Sequence, residues 1–204
     1  MDVSETQLHG SLVEVHRIGV LLLGPSGVGK SECVIELVRR GHRMVADDVV
    51  RLRREERREE RRKDGRAEST ESAPRLIGWS PETIRHFIEI RGLGLLSVAD
   101  LFGPGAILDE CEVGFVCRLQ EWSPDESFER IGLERPRECF LGVDLPTARL
   151  PVHAASSLAT LVELAARDWS RRLSGVNAAR RLDERLRARS GMIVGSEILE
   201  GETG

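Results

Sequence analysis

Residues 24–31 read Gly-Pro-Ser-Gly-Val-Gly-Lys-Ser and satisfy G-x-x-x-x-G-K-[ST], the pattern of a phosphate-binding P-loop. No other stretch constrains the chain as strongly. The glycines allow a tight turn in which successive backbone N–H groups face phosphate oxygens. Gly24, Pro25, Ser26, Gly27, Val28, Gly29, Lys30 and Ser31 are therefore all candidate nucleotide contacts. In this pattern Lys30 reaches the β/γ-phosphates and the Ser31 hydroxyl ligates Mg²⁺. The flanks agree with the loop. Ile18 to Leu23 is a short apolar run that reads as a buried strand. Ser31 to Arg40 reads as a helix with Val34, Leu37 and Val38 on one face, stopped by Gly41. A helix N-terminus after a glycine loop is where an anion is held.

Carboxylates follow at the right distance. In Arg43-Met44-Val45-Ala46-Asp47-Asp48 a strand ends on two acids. A carboxylate there can hold Mg²⁺ or accept a proton from an attacking hydroxyl. Adjacent residues of an extended chain face opposite ways, so only one acid faces the phosphates unless the strand ends between them. Upstream, Leu8 to Val15 alternates and predicts a half-exposed strand, with His9 at the start of its hairpin and Arg17 in the turn before the P-loop strand. Taken alone, a histidine at that place is a surface residue.

Composition narrows the class. The chain has 204 residues, enough for one sizeable domain and short for two. Its net charge of -4 gives no global attraction to nucleic acid or an acidic membrane surface. No apolar run reaches membrane-spanning length, and the first residues lack a signal-peptide pattern. Cys33, Cys111, Cys117 and Cys139 are scattered, which reads as reduced thiols in a cytoplasm. From Arg51 to Glu71 the charges repeat every four residues. Arg53/Arg57, Glu55/Glu59 and Glu56/Glu60 place like charges at i,i+4, which disfavours a helix. At i,i+2 the signs alternate, as on one strand face, so a solvated hairpin extension or a disordered loop, with or without fraying helix, is expected. Its acids match its bases, so it is not a nucleic-acid site.

Further on, Pro81 to Ile88 reads as a short helix capped by Ser80. In Glu89-Ile90-Arg91-Gly92-Leu93-Gly94 the two glycines imply backbone passing close to a neighbour. Glu89 is either a metal ligand or the partner of Arg91 at a strand edge. Asp100 to Gly105 reads as a loop, Val113 to Trp122 as a strand, and Cys139 to Val143 and Ala148 to Val152 as strands around Pro146. Ser156 or Ser157 caps a helix to about Arg171 with Leu158, Leu161, Val162, Leu164, Ala165 and Trp169 inward. Asn177 caps a last helix from Ala178 to Arg189, stopped by Gly191. The expected organisation is one P-loop domain over 1–192, with the charged insertion at about 51–75 and a flexible tail over 193–204. The residues alone support an α/β nucleotide-binding domain with a metal-assisted site near Lys30, Ser31 and Asp47/Asp48. A kinase, an ATPase motor or switch, and a binding module without chemistry remain open.

Separated motifs narrow this further. Leu8-His9-Gly10, the P-loop with Ser31-Glu32, Gly41 to Asp48, Glu89 to Gly94, Leu101-Phe102-Gly103 and Val176-Asn177-Ala178-Ala179 together resemble the catalytic domain of HPr kinase/phosphorylase. This resemblance covers most of residues 8–189 outside the insertion. It implies a mixed α/β sheet with C-terminal helices, of the type shared with phosphoenolpyruvate carboxykinase. It implies an ATP- and Mg²⁺-dependent transfer to a serine of the phosphocarrier protein HPr, a reverse phosphorolysis, a hexamer and a cytoplasmic setting. By position, Lys30 resembles the phosphate-binding lysine, Ser31 a Mg²⁺ ligand, and Asp48 the proton acceptor. His9 resembles the assisting histidine, Glu89 the second metal ligand, and Arg130 the downstream catalytic arginine. Three departures stand out. The chain starts almost at the motif histidine, where the family commonly has an N-terminal domain. Pro25 is unusual in the family's P-loop. His153-Ala154-Ala155-Ser156 stands where the family carries Pro-Gly-Arg, so phosphorolysis is expected to be weak or absent.

Overall fold

The computed structural model describes residues 5–56, 73–123, 135–153 and 157–197, with side chains through 188. Its frame is a nine-stranded mixed sheet. The P-loop strand β3 (Ile18–Leu23), with β1 (Glu5–His9) and β2 (Ser11–Val15) before it, is buried at every position after its first. β3 pairs antiparallel with β2 and parallel with β9 (Glu110–Glu121). β2 pairs in turn with β4 (Arg43–Ala46), reached through helix α1 (Lys30–Arg39). On the other side β9 pairs with β6 (Arg75–Trp79), β6 with β5 (Val49–Glu55), and β5 with β1. The far end of β9 runs parallel to β11 (Val143–Val152), which carries the short β10 (Arg137–Phe140). The twelve-residue β9 thus joins both parts of the sheet.

Alternation along these strands fills two cores. On one face Val13, Val15, Val20, Leu22, Phe115 and Leu119 pack under α1 and α3 (Leu158–Leu173). On the other, Leu12, Leu21, Val45, Val50, Leu52, Leu76 and Val116 pack together as the sheet curls over itself. Both faces of β2 are therefore covered, and its burial is nearly continuous rather than the half exposure its sequence predicts. The Glu14 carboxylate survives there because the Arg43 guanidinium, opposite it on β4, donates to it at 2.6 Å.

Several local expectations change. Residues 81–88 make only one 3₁₀ turn (Glu82–Ile84), because Arg85 is extended and His86 takes φ 68. The chain then forms the hairpin β7 (Phe87–Ile90) and β8 (Gly94–Ser97). The loop expected at 100–105 contains helix α2 (Val98–Phe102), capped by the Ser97 hydroxyl, and a 3₁₀ turn (Pro104–Ala106). Pro146 lies inside β11 rather than between strands. It costs no ladder bond to β9, because that parallel pairing starts at Thr147. Ser157 caps α3 by accepting from the Thr160 amide, and Leu164 points to solvent at 58% exposure. The Asn177 side chain accepts from the Arg180 amide, and α4 (Ala178–Glu197) runs past Gly191. Among the described residues no helix is long and apolar enough to cross a membrane.

Candidate active site

The P-loop leaves the end of β3 against β9. A Cβ on Gly24 would lie 2.6 Å from the Leu119 carbonyl oxygen, so only glycine lets the loop start there. Gly27 (φ 80) and Gly29 (φ 97) take left-handed backbone, which L side chains strongly disfavour. Val28 turns down into the core at 6% exposure. With its residues so bent, the loop delivers Lys30 and Ser31 at the first turn of α1.

Lys30 is 7% exposed, and its ammonium donates to the Gly24 and Pro25 carbonyls, both at 2.9 Å. Burial lowers its pKa, while the Asp47 and Asp48 charges act to keep it protonated. The Ser31 hydroxyl donates to Asp47 Oδ2 at 2.8 Å, and the buried Ser11 hydroxyl donates to Oδ1 at 2.5 Å. Asp47 is 4% exposed. Burial raises its pKa, and the two serine hydrogen bonds offset part of that rise.

Strand β4 ends at Ala46, which resolves the question of the two acids. Asp48 takes φ 65, and the Val49 amide donates back to the Asp47 carbonyl at 2.8 Å. This reversal lets both carboxylates face the loop. The Asp48 carboxylate lies 3.1 Å from His9 Nδ1, and its carbonyl accepts from the Gly10 amide at 3.1 Å. His9 and Asp48 are both more than half exposed, so their pair is open to an incoming group.

The β7–β8 hairpin supplies the last wall. Ile88 is 1% exposed and anchors β7, which turns Glu89 outward toward the P-loop. The Arg91 guanidinium sits over Gly27, 3.6 Å from where its Cβ would be. Gly92 (φ 89) and Gly94 (φ 85) have no neighbour within 4 Å of a built Cβ. They serve the hairpin's positive φ, not the close approach expected from their spacing.

His9, Ser26, Gly27, Gly29, Lys30, Ser31, Asp48 and Glu89 thus line one cleft of about 210 Å³. Gly24 and Pro25 border it through their carbonyls, and Val28 supports it from below. Arg130 lies outside the described residues. The cleft also holds Asp47, the partner of Ser11, which the sequence had offered only as one of an acid pair, and Arg91 and Glu32, to which it had given no role at the site. Asp47 was signalled by the acid pair. Ser11 carried no motif signal, because its partner is 36 positions away.

The donor set fits a hard cation and a polyphosphate. Ser31 Oγ and Asp47 Oδ2 are oxygen donors already 2.8 Å apart, with Glu89 on the facing wall. The lysine ammonium beside them is held by the Gly24 and Pro25 carbonyls, from which a phosphate oxygen can take it.

Comparison with known proteins identifies the family of the chain. The family model of the HPr serine kinase C-terminal domain matches residues 3–186. An HPr kinase/phosphorylase of Geobacillus thermodenitrificans is 43% identical over 181 residues, 89% of this chain and 53% of that protein. One from Caldanaerobacter subterraneus is 43% identical over 179 residues, again 53% of its length. The chain spans about half the length of the curated relatives it matches. The solved HPr(Ser) kinase/phosphatase of Coxiella burnetii superposes with a TM-score of 0.67 at 27% identity, over 83% of this chain and 99% of that one. The chain belongs to the HPr serine kinase C-terminal domain family.

Proposed function

We propose that this chain is the catalytic domain of a Mg²⁺-dependent protein serine kinase that uses ATP and phosphorylates the phosphocarrier HPr. One observation carries the reading. A P-loop lysine and serine, a buried carboxylate on that serine, and an open His9–Asp48 pair share one cleft.

Ser31 and Asp47 would hold Mg²⁺, with Glu89 on the facing wall. When bound, the ion neutralises charge on the transferring phosphoryl group. Lys30 exchanges its loop carbonyls for phosphate oxygens, and the loop amides do the same work without a charge of their own. Asp48 orients the acceptor serine hydroxyl, with His9 holding its carboxylate in place. As the serine oxygen bonds to the γ-phosphorus, the bond to the β,γ-bridging oxygen breaks and Asp48 takes the hydroxyl proton. Arg91 over Gly27 adds positive charge on the open side. The reverse attack of phosphate on phosphoserine is weak in this reading, because His153 to Ser156 replace Pro-Gly-Arg. The proposal includes a cytoplasmic homo-oligomer, a hexamer, which light scattering in solution tests.

The purified chain is incubated with Mg²⁺, ATP and HPr, and phosphoserine is sought by mass spectrometry. Phosphoserine on HPr that disappears in Asp48→Asn supports the kinase and the role of Asp48. Nucleotide binding that depends on Lys30 without any transfer points instead to another acceptor or a nucleotide-sensing module.

A further inference from the structure

At the opposite end of α1 from the P-loop, three elements bring a second set of chemical groups together. His16 sits in the β2–β3 turn, His42 in the α1–β4 connection, and Glu163 on α3. His16 Nε2 is 3.3 Å from Glu163 Oε1, and His42 Nε2 is 3.6 Å from the same oxygen. The three ligand atoms lie within 4.8 Å of one another. Ligand atoms bound to a tetrahedral zinc ion at ~2.0–2.1 Å stand about 3.3–3.4 Å apart. The two shorter edges are close to that spacing before any ion is added.

A second observation points to the same place. His42 is 8% exposed, and its Nε2 is buried with no hydrogen-bond partner. A buried polar nitrogen left in that state is uncommon and costly. It faces the Glu163 oxygen from a distance too long for a hydrogen bond. The turn carrying His16 is also built at a cost. His16 (φ 50) and Arg17 (φ 67) are the central residues of a two-residue hairpin, where Asn-Gly is far less strained.

Two arginines border the cluster, and both are compatible with an ion. Arg40 donates to Glu163 Oε2 at 3.1 Å, which orients the carboxylate and leaves Oε1 facing the histidines. Arg167 Nε donates to His16 Nε2 at 3.0 Å, so that nitrogen already presents a lone pair. The Arg167 guanidinium also lies 3.7 Å from Glu163 Oε1, so an ion must displace it from both ligands, and its 64% exposed side chain can turn to solvent when that happens. Two imidazoles and a carboxylate suit a zinc-class ion rather than Mg²⁺, which keeps this site chemically distinct from the P-loop.

We propose that His16, His42 and Glu163 form a binding site for one divalent transition-metal ion of the zinc class. Water completes the fourth position. The ion ties the turn before the P-loop strand and the end of the P-loop helix to α3.

The test uses the tag-free full chain in excess Mg²⁺, which competes for the hard oxygen donors of the P-loop cleft. Zn²⁺ is titrated against a chromophoric chelator, and Co²⁺ absorption reports the coordination number. One equivalent of Zn²⁺ is expected, with visible Co²⁺ bands of a four-coordinate site. His16→Asn, which suits the positive φ of the turn, and Glu163→Gln are each expected to weaken binding at least about tenfold. Asp47→Asn at the P-loop leaves it unchanged. Absence of a stoichiometric ion, or binding that survives His16→Asn, overturns the proposal. The exposed turn makes His16→Asn decisive even if Glu163→Gln fails to fold.

Discussion

At the scale of single residues, Asp47 holds function and stability against each other. Its carboxylate is buried for the sake of Ser31, and burial raises its pKa. The native state then binds this proton more tightly than the unfolded chain does. Stability therefore falls as pH rises from the ordinary aspartate range through the raised native value, and the cost is fully present above it. Asp47→Asn is expected to remove that pH dependence. Calorimetry of the ligand-free protein from pH 4 to 8 should show a melting temperature at pH 7 no lower than the parent's. Phosphoryl transfer by the same variant should fall by about 100-fold or more, as for loss of a catalytic metal ligand. A large drop in melting temperature at pH 7 would mean that the ionised carboxylate is net stabilising. The cysteines offer a second check at this scale. Burial pushes the Cys33 and Cys111 thiols up to about 12 and raises Cys117 as well. Thiolate is the reactive form, so these three should resist a disulfide reagent at pH 8. Cys139 is exposed. One fast-reacting thiol in the native protein and four after denaturation is the expected count.

At the scale of elements, the β7–β8 hairpin is the piece that decides whether Glu89 and Arg91 face the P-loop. It forms its own two-stranded sheet and enters the main core through Ile88. Ile88→Ala should cost about 2–4 kcal/mol in urea unfolding, the usual range for emptying a core site. Turnover should drop further than that loss of folded protein explains, because Glu89 and Arg91 lose their support. Unchanged kinetics in the folded variant would show that the hairpin does not position the site. The elements also show what a sequence can and cannot reveal. The P-loop was legible because its demands are local: glycine where φ is positive, an apolar strand before, a helix after. The strand after Asp48 was only one of the readings left open there, as a hairpin extension beside a disordered loop. Arg53–Glu55 and Arg54–Glu56 pair at i,i+2, as alternating charges on a strand require. The helix expected at 81–88 failed on His86, whose positive φ no propensity announces. The Ser11–Asp47–Ser31 triad was not legible, because only the pairing of β2 with β4 brings it together.

At the scale of the whole molecule, the charged segment between β5 and β6 poses a question that the sheet can answer. The two strands pair in register from Arg51↔Trp79 out to Glu55↔Arg75. That outer pair is closed by ions: Arg53 donates to one Glu55 oxygen at 2.7 Å and Arg75 to the other at 2.8 Å. The core side chains of these strands, Leu52 and Leu76, lie inside this boundary and are fully buried. Residues 57–72 fall beyond it. They carry six basic and five acidic side chains, so removing them shifts the net charge of -4 by only one unit. The closure entropy of a loop grows slowly with length, about 0.6 kcal/mol per doubling, so a shorter connection should stabilise slightly if it changes stability at all. Replacing residues 57–72 with a short Asn-Gly-containing turn should therefore leave the melting temperature unchanged or a few degrees higher. Nucleotide binding should be retained as well, since His9 and Asp48 sit at the opposite end of β5, at the His9↔Val49 pair. The informative measurement is then KM for HPr at saturating ATP. An unchanged KM means that the segment takes no part in acceptor docking. A raised KM with intact nucleotide affinity and melting temperature would instead assign these alternating charges to acceptor docking.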